Sequence, residues 1–364
     1  EHANIPVRPV FSTLPSYAAG KPPAPVEGLT QYKLSSNENP LGPVPEVARL
    51  LAEFVTVHRY PDPLSTALRH KLSARLGVDA DDIVTGAGSL GALNQILKTF
   101  AGVNADGVQD EVIYAWRSFE AYPILVGIMG ARSVQVPNLP DGSHDLDAMA
   151  AAITNRTRLI LVCTPNNPTG PALTYEEIAG FVADIPDDVM IIVDEAYIDF
   201  ATKPGVRTAV PLIEEYPNVI VMRTFSKAHA LAGVRVGYAI GDPEVIGAIQ
   251  ALLVPFGVNS LALAAALASL KDAEGVQRAV SEIIAERERI IPALRDLGYD
   301  IPDSQSNFYL IRGDVYGLVE ACARVGLIVR PFRVGVRVSV GSREQNDRFL
   351  AVAAEFARTE GIGA

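Results

Sequence analysis

Three short apolar runs, rich in β-branched residues, constrain the fold of this chain more than any other feature. They span 159–162, 190–193 and 219–222, with helical patterns such as 175–183 between them. Apolar strands that alternate with helices in this way are typical of βαβ units. Such units build a mostly parallel sheet with helices on both faces. We therefore predict an α/β fold.

Polar residues follow each of the three runs, at 164–169, 194–195 and 224–227. In open α/β sheets, ligands bind beyond the carboxyl ends of the strands. The sequence thus predicts a functional site at this edge of the sheet.

We predict three parts in the chain of 364 residues. Residues 1–50, rich in proline and loop signals, form an arm that either wraps a neighbouring subunit or joins the C-terminal segment. Residues 51–280 form a large domain, and 281–364 form a small α+β domain. The small domain contains a charged helix at 281–291, which Pro292 kinks or ends, and strands near 307–311 and 334–340.

Composition excludes several classes of function. The net charge of −11 argues against nucleic-acid binding, because phosphate backbones require clustered Lys and Arg. The sequence shows no signal peptide, and its two cysteines imply no disulfide framework, so we expect a cytoplasmic protein.

The run 245–270 carries no charge and is long enough to cross a bilayer. Because Pro255, Gly257 and Asn259 interrupt it, we predict two buried helices around a turn.

A glycine-rich segment at 86–91 matches the dinucleotide fingerprint and follows a short apolar run at 83–85. Acidic residues 110–111 precede the next apolar run instead of following it, where a ribose would be met. We therefore predict a phosphate-binding helix N-terminus at Gly88 and Ser89 and not a nicotinamide site. A simple tight turn into a helix is the alternative.

The segment 224–238 carries the strongest chemical signal. Lys227 directly follows an apolar strand, and a buried ammonium is costly unless it has a function. Burial and nearby cations lower the pKa of a lysine, which suits it to form a Schiff base. Ser226 and Arg235 supply a hydroxyl and a guanidinium that could bind a phosphate.

This segment resembles the S-K-x-x-x-L-A-G-x-R-x-G-Y signature of fold-type I aminotransferases, which depend on pyridoxal 5′-phosphate. Further motifs follow the order of the histidinol-phosphate aminotransferase family and its aromatic relatives. They cover almost the whole chain and lie at 34–43, 59–61, 165–170, 194–197 and 335–338. The run 116–123 is more similar to the aromatic amino acid aminotransferases of actinobacteria.

The resemblance implies a role for each matching residue. Lys227 holds the cofactor as a Schiff base and moves a proton, and Asp194 pairs with the pyridine nitrogen. Asn167 and Tyr197 bind the phenolate oxygen, and Phe119 stacks on the ring. The phosphate ligands are Gly88, Ser89, Thr224, Ser226, Arg235 and Tyr60 from the partner of a homodimer. The substrate-binding residues are Tyr17, Asn37, Asn167, Arg330 and Arg337, of which Arg337 binds the carboxylate.

Structural roles are the alternatives for several of these residues. Asp194 could cap a helix, Phe119 could belong to the core, and Tyr60 could be an exposed turn residue. Arg337 could lie on a surface strand. His229 stands where many relatives carry an aromatic residue, and we assign it no role. The scattered histidines predict no metal site.

The resemblance implies transamination between an aromatic amino acid and a 2-oxo acid, with 2-oxoglutarate as the expected acceptor. Histidinol phosphate is the alternative amino donor. A threonine-phosphate-type decarboxylase could share the lysine, aspartate and arginine signature while it breaks a different bond at Cα. A ligand sensor built on this fold would need a DNA-binding segment, for which no basic stretch exists.

Overall fold

A computed structural model describes residues 6–18 and 24–362 of the chain. The strands in this part of the chain are β1 Tyr32–Lys33, β2 Ile83–Gly86, β3 Glu111–Trp116, β4 Arg132–Pro137, β5 Thr157–Cys163, β6 Met190–Asp194, β7 Val219–Thr224, β8 Gly237–Ile240, β9 Phe308–Arg312, β10 Leu327–Ile328, β11 Arg330–Phe332 and β12 Gly335–Ser339. The α-helices are α1 Pro45–Glu53, α2 Thr66–Leu76, α3 Gly88–Phe100, α4 Ala121–Ile128, α5 Leu146–Ala151, α6 Tyr175–Asp184, α7 Pro243–Gln250, α8 Ser260–Lys271, α9 Ala273–Asp296, α10 Gly317–Arg324 and α11 Arg343–Glu360.

The described residues form a seven-stranded sheet with the order β2-β8-β7-β6-β5-β3-β4. All neighbouring strands are parallel except that β8 runs antiparallel to both β7 and β2. The central strands β5, β6 and β7 are buried along almost their full length. Burial on both faces explains their continuous apolar runs. The predicted mostly parallel α/β fold is confirmed.

Because β8 is antiparallel, its first residue lies at the edge where β2 and β7 end. Gly237 pairs with both Gly86 and Thr224, the last residues of those two strands. The start of β8 therefore joins the carboxyl ends of the parallel strands at one edge of the sheet.

The C-terminal segment contains a three-stranded antiparallel sheet, in the order β11-β12-β9. The strands predicted near 307–311 and 334–340 correspond to β9 and β12. The N-terminal strand β1 pairs with β10 in parallel, and the backbone N–H of Asn37 donates to Ser339 Oγ at 2.8 Å. Of the two alternatives for the first fifty residues, the described part thus shows contact with the C-terminal segment.

Two predicted helical segments have different bounds in the structure. Two helices, α7 and α8, flank a loop in the uncharged run, as predicted. The prediction that both are buried is wrong for α7, which buries only Ile246 and Ile249, and in the loop Val254 and Phe256 are exposed. Of the two effects predicted for Pro292, the end of the helix is wrong, because α9 continues to Asp296, and the kink stays a prediction. The helix also begins before the predicted domain boundary at 280, and the division into domains stays a prediction. No helix in residues 6–18 and 24–362 has the length and apolar character needed to cross a membrane.

Candidate active site

A cavity of about 340 Å³ lies where the carboxyl ends of the large sheet meet the N-terminal segment and the strands β11 and β12. Its lining comes from loops that follow β3, β5, β6 and β7 and from chain segments far away in sequence. The predicted site residues that line it are Tyr17, Asn37, Ser89, Phe119, Asn167, Asp194, Tyr197, Thr224, Ser226, Lys227, Arg235, Arg330 and Arg337. The structure therefore brings almost all of the predicted residues together.

Lys227 lies in the loop between β7 and β8, and its Nζ donates to the carbonyl oxygen of Ser36 at 3.3 Å. Removal from water, together with the charge of Arg337, lowers the pKa of this amine to about 8. A neutral amine is the form that acts as a nucleophile or a base. A substantial fraction of Lys227 is therefore neutral close to pH 8 and can act as a nucleophile or a base.

Asp194 is the last residue of β6, and its carboxylate is buried in the wall of the cavity. The hydroxyl of Tyr122 donates to Oδ2 at 2.6 Å, and the backbone N–H of Ala196 donates to Oδ1 at 3.2 Å. Burial raises the pKa of the carboxyl, while these two hydrogen bonds and the charge of Lys227 oppose the rise. A cationic ring nitrogen bound here would offset the cost of burying the carboxylate.

The hydroxyl of Tyr197 has one hydrogen that no residue in 6–18 or 24–362 accepts. Its oxygen accepts from the amides of Asn37 at 3.1 Å and Asn167 at 3.3 Å. The hydroxyl hydrogen is then free to donate to a ligand oxygen in the cavity. Asn37 is buried with φ of 55°, a left-handed conformation that is strained for a side chain.

A narrow space for a phosphate lies at the N-terminus of α3. A Cβ atom on Gly88, which has φ of 74°, would overlap the guanidinium of Arg235. A Cβ atom on Gly237 would overlap the backbone nitrogen of Ser89. Only glycine at both positions lets the guanidinium and the helix N-terminus converge, and both favour an anion.

Hydroxyl groups complete this phosphate cradle. Arg235 has φ of 62°, and its Nη1 donates to Ser226 Oγ at 3.2 Å and to the carbonyl oxygen of Ala232 at 2.9 Å. The backbone N–H of Ser226 donates to Thr224 Oγ1 at 3.0 Å. These contacts fix the guanidinium and two hydroxyls beside the N-terminus of α3. The chemistry of the donor set fits a phosphate.

Arg337 is a buried residue of β12 and not a surface strand residue. Its Nη1 donates to Asn167 Oδ1 at 2.6 Å, and its Nη2 donates to the carbonyl oxygen of Ser35 at 2.7 Å. Its Nε is buried without a hydrogen-bond partner in the described part of the chain. Burial lowers the pKa of this guanidinium to about 10. An anionic ligand would satisfy the free donor and offset the cost of burial.

Arg330 also lines the cavity, but a carboxylate already binds it. Its Nη2 lies 2.6 Å from Glu120 Oε2, and the two side chains are 11% and 27% exposed. The two residues stand 210 positions apart in the sequence. Their contact joins the loop after β3 to strand β11.

Tyr60 and Tyr17 are exposed aromatic residues among the predicted site residues. Tyr60 is 82% exposed and stacks on Phe256 with a centroid distance of 4.4 Å, outside the cavity. Tyr17 is 57% exposed and lines the cavity from the N-terminal segment. Within one chain, Tyr60 therefore does not belong to the site.

His229 packs away from the cavity. Its Nδ1 lies 2.6 Å from Ser269 Oγ, and its ring contacts Phe225 with a centroid distance of 4.7 Å. Burial lowers its pKa to about 4, so the ring is neutral at physiological pH. These contacts explain the histidine as a packed structural residue.

Sequence reasoning missed several residues that contact the predicted site, among them Tyr122, Ser36 and Glu120. Tyr122 and Glu120 lie in the aromatic run after β3, next to Phe119. Their positions in that run pointed to the site, but their partners, Asp194 and Arg330, are distant in sequence. Ser36 contributes only a backbone carbonyl, for which a sequence gives no signal.

These features define an α/β enzyme in which a lysine of lowered pKa faces a buried aspartate and a phosphate cradle. A family model of aminotransferase class I and II matches residues 30–352. The chain belongs to this family, and the prediction of an aminotransferase is confirmed.

The relatives agree with the predicted resemblance. The chain is 47% identical to an aromatic amino acid aminotransferase of Streptomyces avermitilis, over 96% of this chain and 97% of that protein. It is 44% identical to an aromatic amino acid aminotransferase of Thermobifida fusca, with the same coverage of both chains. The structure of a histidinol-phosphate aminotransferase from Sinorhizobium meliloti, in complex with pyridoxal 5′-phosphate, superposes with a TM-score of 0.86. It is 24% identical and covers 97% of this chain and 98% of its own, which shows the shared fold.

Proposed function

We propose that this aminotransferase uses pyridoxal 5′-phosphate to move an amino group between an aromatic amino acid and 2-oxoglutarate. One observation carries the proposal: Lys227, with a pKa of about 8, shares a single cavity with Asp194, Arg337 and the phosphate cradle. The relatives named aromatic amino acid aminotransferase support the substrate class.

The residues present fit the cofactor. The cradle of Gly88, Ser89, Thr224, Ser226 and Arg235 would hold the phosphate. Asp194 would pair with the ring nitrogen, Phe119 would stack on the ring, and Lys227 would hold the cofactor covalently. Asn167 and the free hydrogen of Tyr197 would bind the ring oxygen. When bound, the cofactor supplies an electron sink for the bond that breaks at Cα.

Lys227 would serve as the acid and base in the reaction. A pKa of about 8 lies close to neutral pH, and a group with such a pKa transfers protons effectively in both directions there. The backbone carbonyl of Ser36 accepts a hydrogen bond from Nζ. It would hold the amine in place while a proton moves from Cα.

Arg337 would bind the substrate carboxylate. Its Nε is unpaired, and a guanidinium presents neighbouring donors in a planar fork that matches a carboxylate. The hydrogen bond from Nη1 to Asn167 couples this group to the residue proposed for the ring oxygen. Arg337 would thereby orient Cα so that the proton leaves and the carboxylate stays, which distinguishes transamination from decarboxylation.

We also propose a homodimer in which Tyr60 of the partner completes the phosphate cradle. Tyr60, Phe256 and Val57 are exposed on the described structure and line one surface depression. Exposed apolar residues that cluster in this way mark interaction surfaces. If each site needs the partner, the monomer is inactive. Sedimentation of wild type and Tyr60→Phe tests the oligomeric state, and we expect dimers for both. The cofactor absorbance of the dimers after dialysis tests the role of Tyr60, and we expect the variant to retain less cofactor.

A half-reaction tests the substrate class. Cofactor-loaded protein is mixed separately with phenylalanine and with histidinol phosphate at equal concentration, and the visible absorbance of the cofactor is followed. We expect a faster change with phenylalanine. A faster change with histidinol phosphate would assign the protein to that substrate. A change with neither would contradict the proposal and favour the decarboxylase, which release of carbon dioxide would identify.

A further inference from the structure

The cavity contains two arginines that differ in their partners. Arg330 and Arg337 are paired residues of the adjacent strands β11 and β12, so their side chains lie on the same face of the sheet. Phe332 lies beside both, with the guanidinium carbons 5.6 Å and 5.3 Å from its ring centroid. A substrate with two anionic groups could engage both guanidiniums.

The charges of the two arginines are not equally available. Among the residues that the structure describes, Arg337 donates to two neutral oxygens, the amide of Asn167 and the carbonyl of Ser35. Arg330 is paired with the carboxylate of Glu120, which neutralises its charge. Both members of this pair line the cavity. The pair is partly withdrawn from water, so it is screened less than a surface ion pair.

We infer that Glu120 is a specificity-determining residue, because its carboxylate occupies Arg330 in place of a second substrate anion. A substrate with a distal carboxylate or phosphate must displace Glu120 and leave that carboxylate without its partner. An apolar side chain leaves the pair intact and can pack against Phe332 and Phe119. The inference deepens the proposed function, on which it rests: Glu120 lowers the affinity for dianionic substrates relative to aromatic ones, and 2-oxoglutarate, the proposed acceptor, binds only by displacing Glu120 from Arg330.

Two unreactive ligands test the inference without turnover. Glutarate carries two carboxylates, whereas 3-phenylpropanoate carries one carboxylate and an aromatic ring. Calorimetry on the cofactor-loaded protein gives the ratio of their Kd values, glutarate over 3-phenylpropanoate. We expect Glu120→Gln to lower this ratio about tenfold, since Arg330 is then free to form a charge-assisted hydrogen bond with the second carboxylate.

Two further variants separate specificity from stability. Glu120→Asp keeps the charge on a shorter side chain, and we expect a ratio between those of wild type and Glu120→Gln. Glu355→Gln removes the same charge from an exposed pair with Arg358, far from the residues that line the cavity, and should leave the ratio unchanged. If Glu120 only supported the structure, both ligands would weaken equally, and an unchanged ratio in both Glu120 variants would overturn the inference.

The half-reaction distinguishes failure of this inference from failure of the proposed function. With wild type, no change upon addition of phenylalanine contradicts the proposed function, whatever the Glu120 variants do. If phenylalanine reacts, Glu120→Gln should raise kcat/KM for glutamate relative to phenylalanine about tenfold. Reaction with phenylalanine but no shift in that ratio would overturn only the role of Glu120.

Discussion

The two sides of the cavity are built in different ways. On the side proposed to bind the cofactor, three of the residues, Lys227, Ser226 and Arg235, belong to one loop between neighbouring strands. On the substrate side, Tyr17, Glu120, Arg330 and Arg337 come from three distant segments of the chain. The first side depends on local backbone geometry, and the second depends on long-range ion pairs and hydrogen bonds. We expect the first to be intolerant of change and the second to be tunable.

The loss of Lys227 should have the largest effect. We expect Lys227→Ala to lose at least about a thousandfold in kcat, because both the covalent anchor and the base are removed. Its visible cofactor absorbance should also change. Lys98→Ala, which removes an exposed lysine of α3, is the control and should retain full activity. Substantial turnover by Lys227→Ala would contradict the central role of this amine.

Arg337→Lys tests whether the substrate side depends on a planar fork. A lysine keeps the charge but loses the paired donors, so we expect KM for phenylalanine to rise by about a hundredfold. The kcat at saturation should fall much less. Arg343→Lys changes a guanidinium that is 71% exposed and should behave as wild type. A normal KM for Arg337→Lys would mean that the carboxylate binds elsewhere.

The lowered pKa of Lys227 sets a pH dependence on the cofactor side. Only the neutral amine captures pyridoxal phosphate, and with a pKa of about 8 its fraction rises about tenfold from pH 7 to pH 9. We therefore expect the capture rate of cofactor-free protein, followed by absorbance, to rise through pH 8 and then level off. An N-acetyl-lysine control should keep rising above pH 9. The same continued rise in the protein would show that the pKa is not lowered.

Tyr122→Phe should have the smallest effect. The change removes one hydrogen bond to the carboxylate of Asp194. Loss of this bond raises the pKa of Asp194, so its carboxylate pairs less strongly with a cationic ring nitrogen. We expect cofactor affinity, measured by equilibrium dialysis, to fall about fivefold. Tyr114→Phe is the matched control, since that buried hydroxyl contacts Ser133 at 2.7 Å. Equal losses in both variants would indicate a general packing effect.

The same contrast explains what could be predicted from sequence. The strands β5, β6 and β7 were predictable because burial on both faces leaves continuous apolar runs. The phosphate cradle was predictable because its residues lie in two short segments, 88–89 and 224–235, each of which carries a recognisable motif. The contact of Arg330 with Glu120 spans 210 positions, and no local pattern encodes such a partner. The extent of α9 also escaped prediction, since a proline near its end suggested an earlier stop.

The antiparallel strand β8 has a consequence for how the family tolerates insertions and deletions. Thr224 and Gly237 are paired in register, so the strand pairing fixes the distance that the loop between them must span. Added residues would move the lysine and the arginine apart, although neither side chain had changed. The gap between Lys227 and Arg235 should therefore vary less among homologues than the identity of the residues within it. Among homologues, the number of residues in this segment should then be more conserved than their identities.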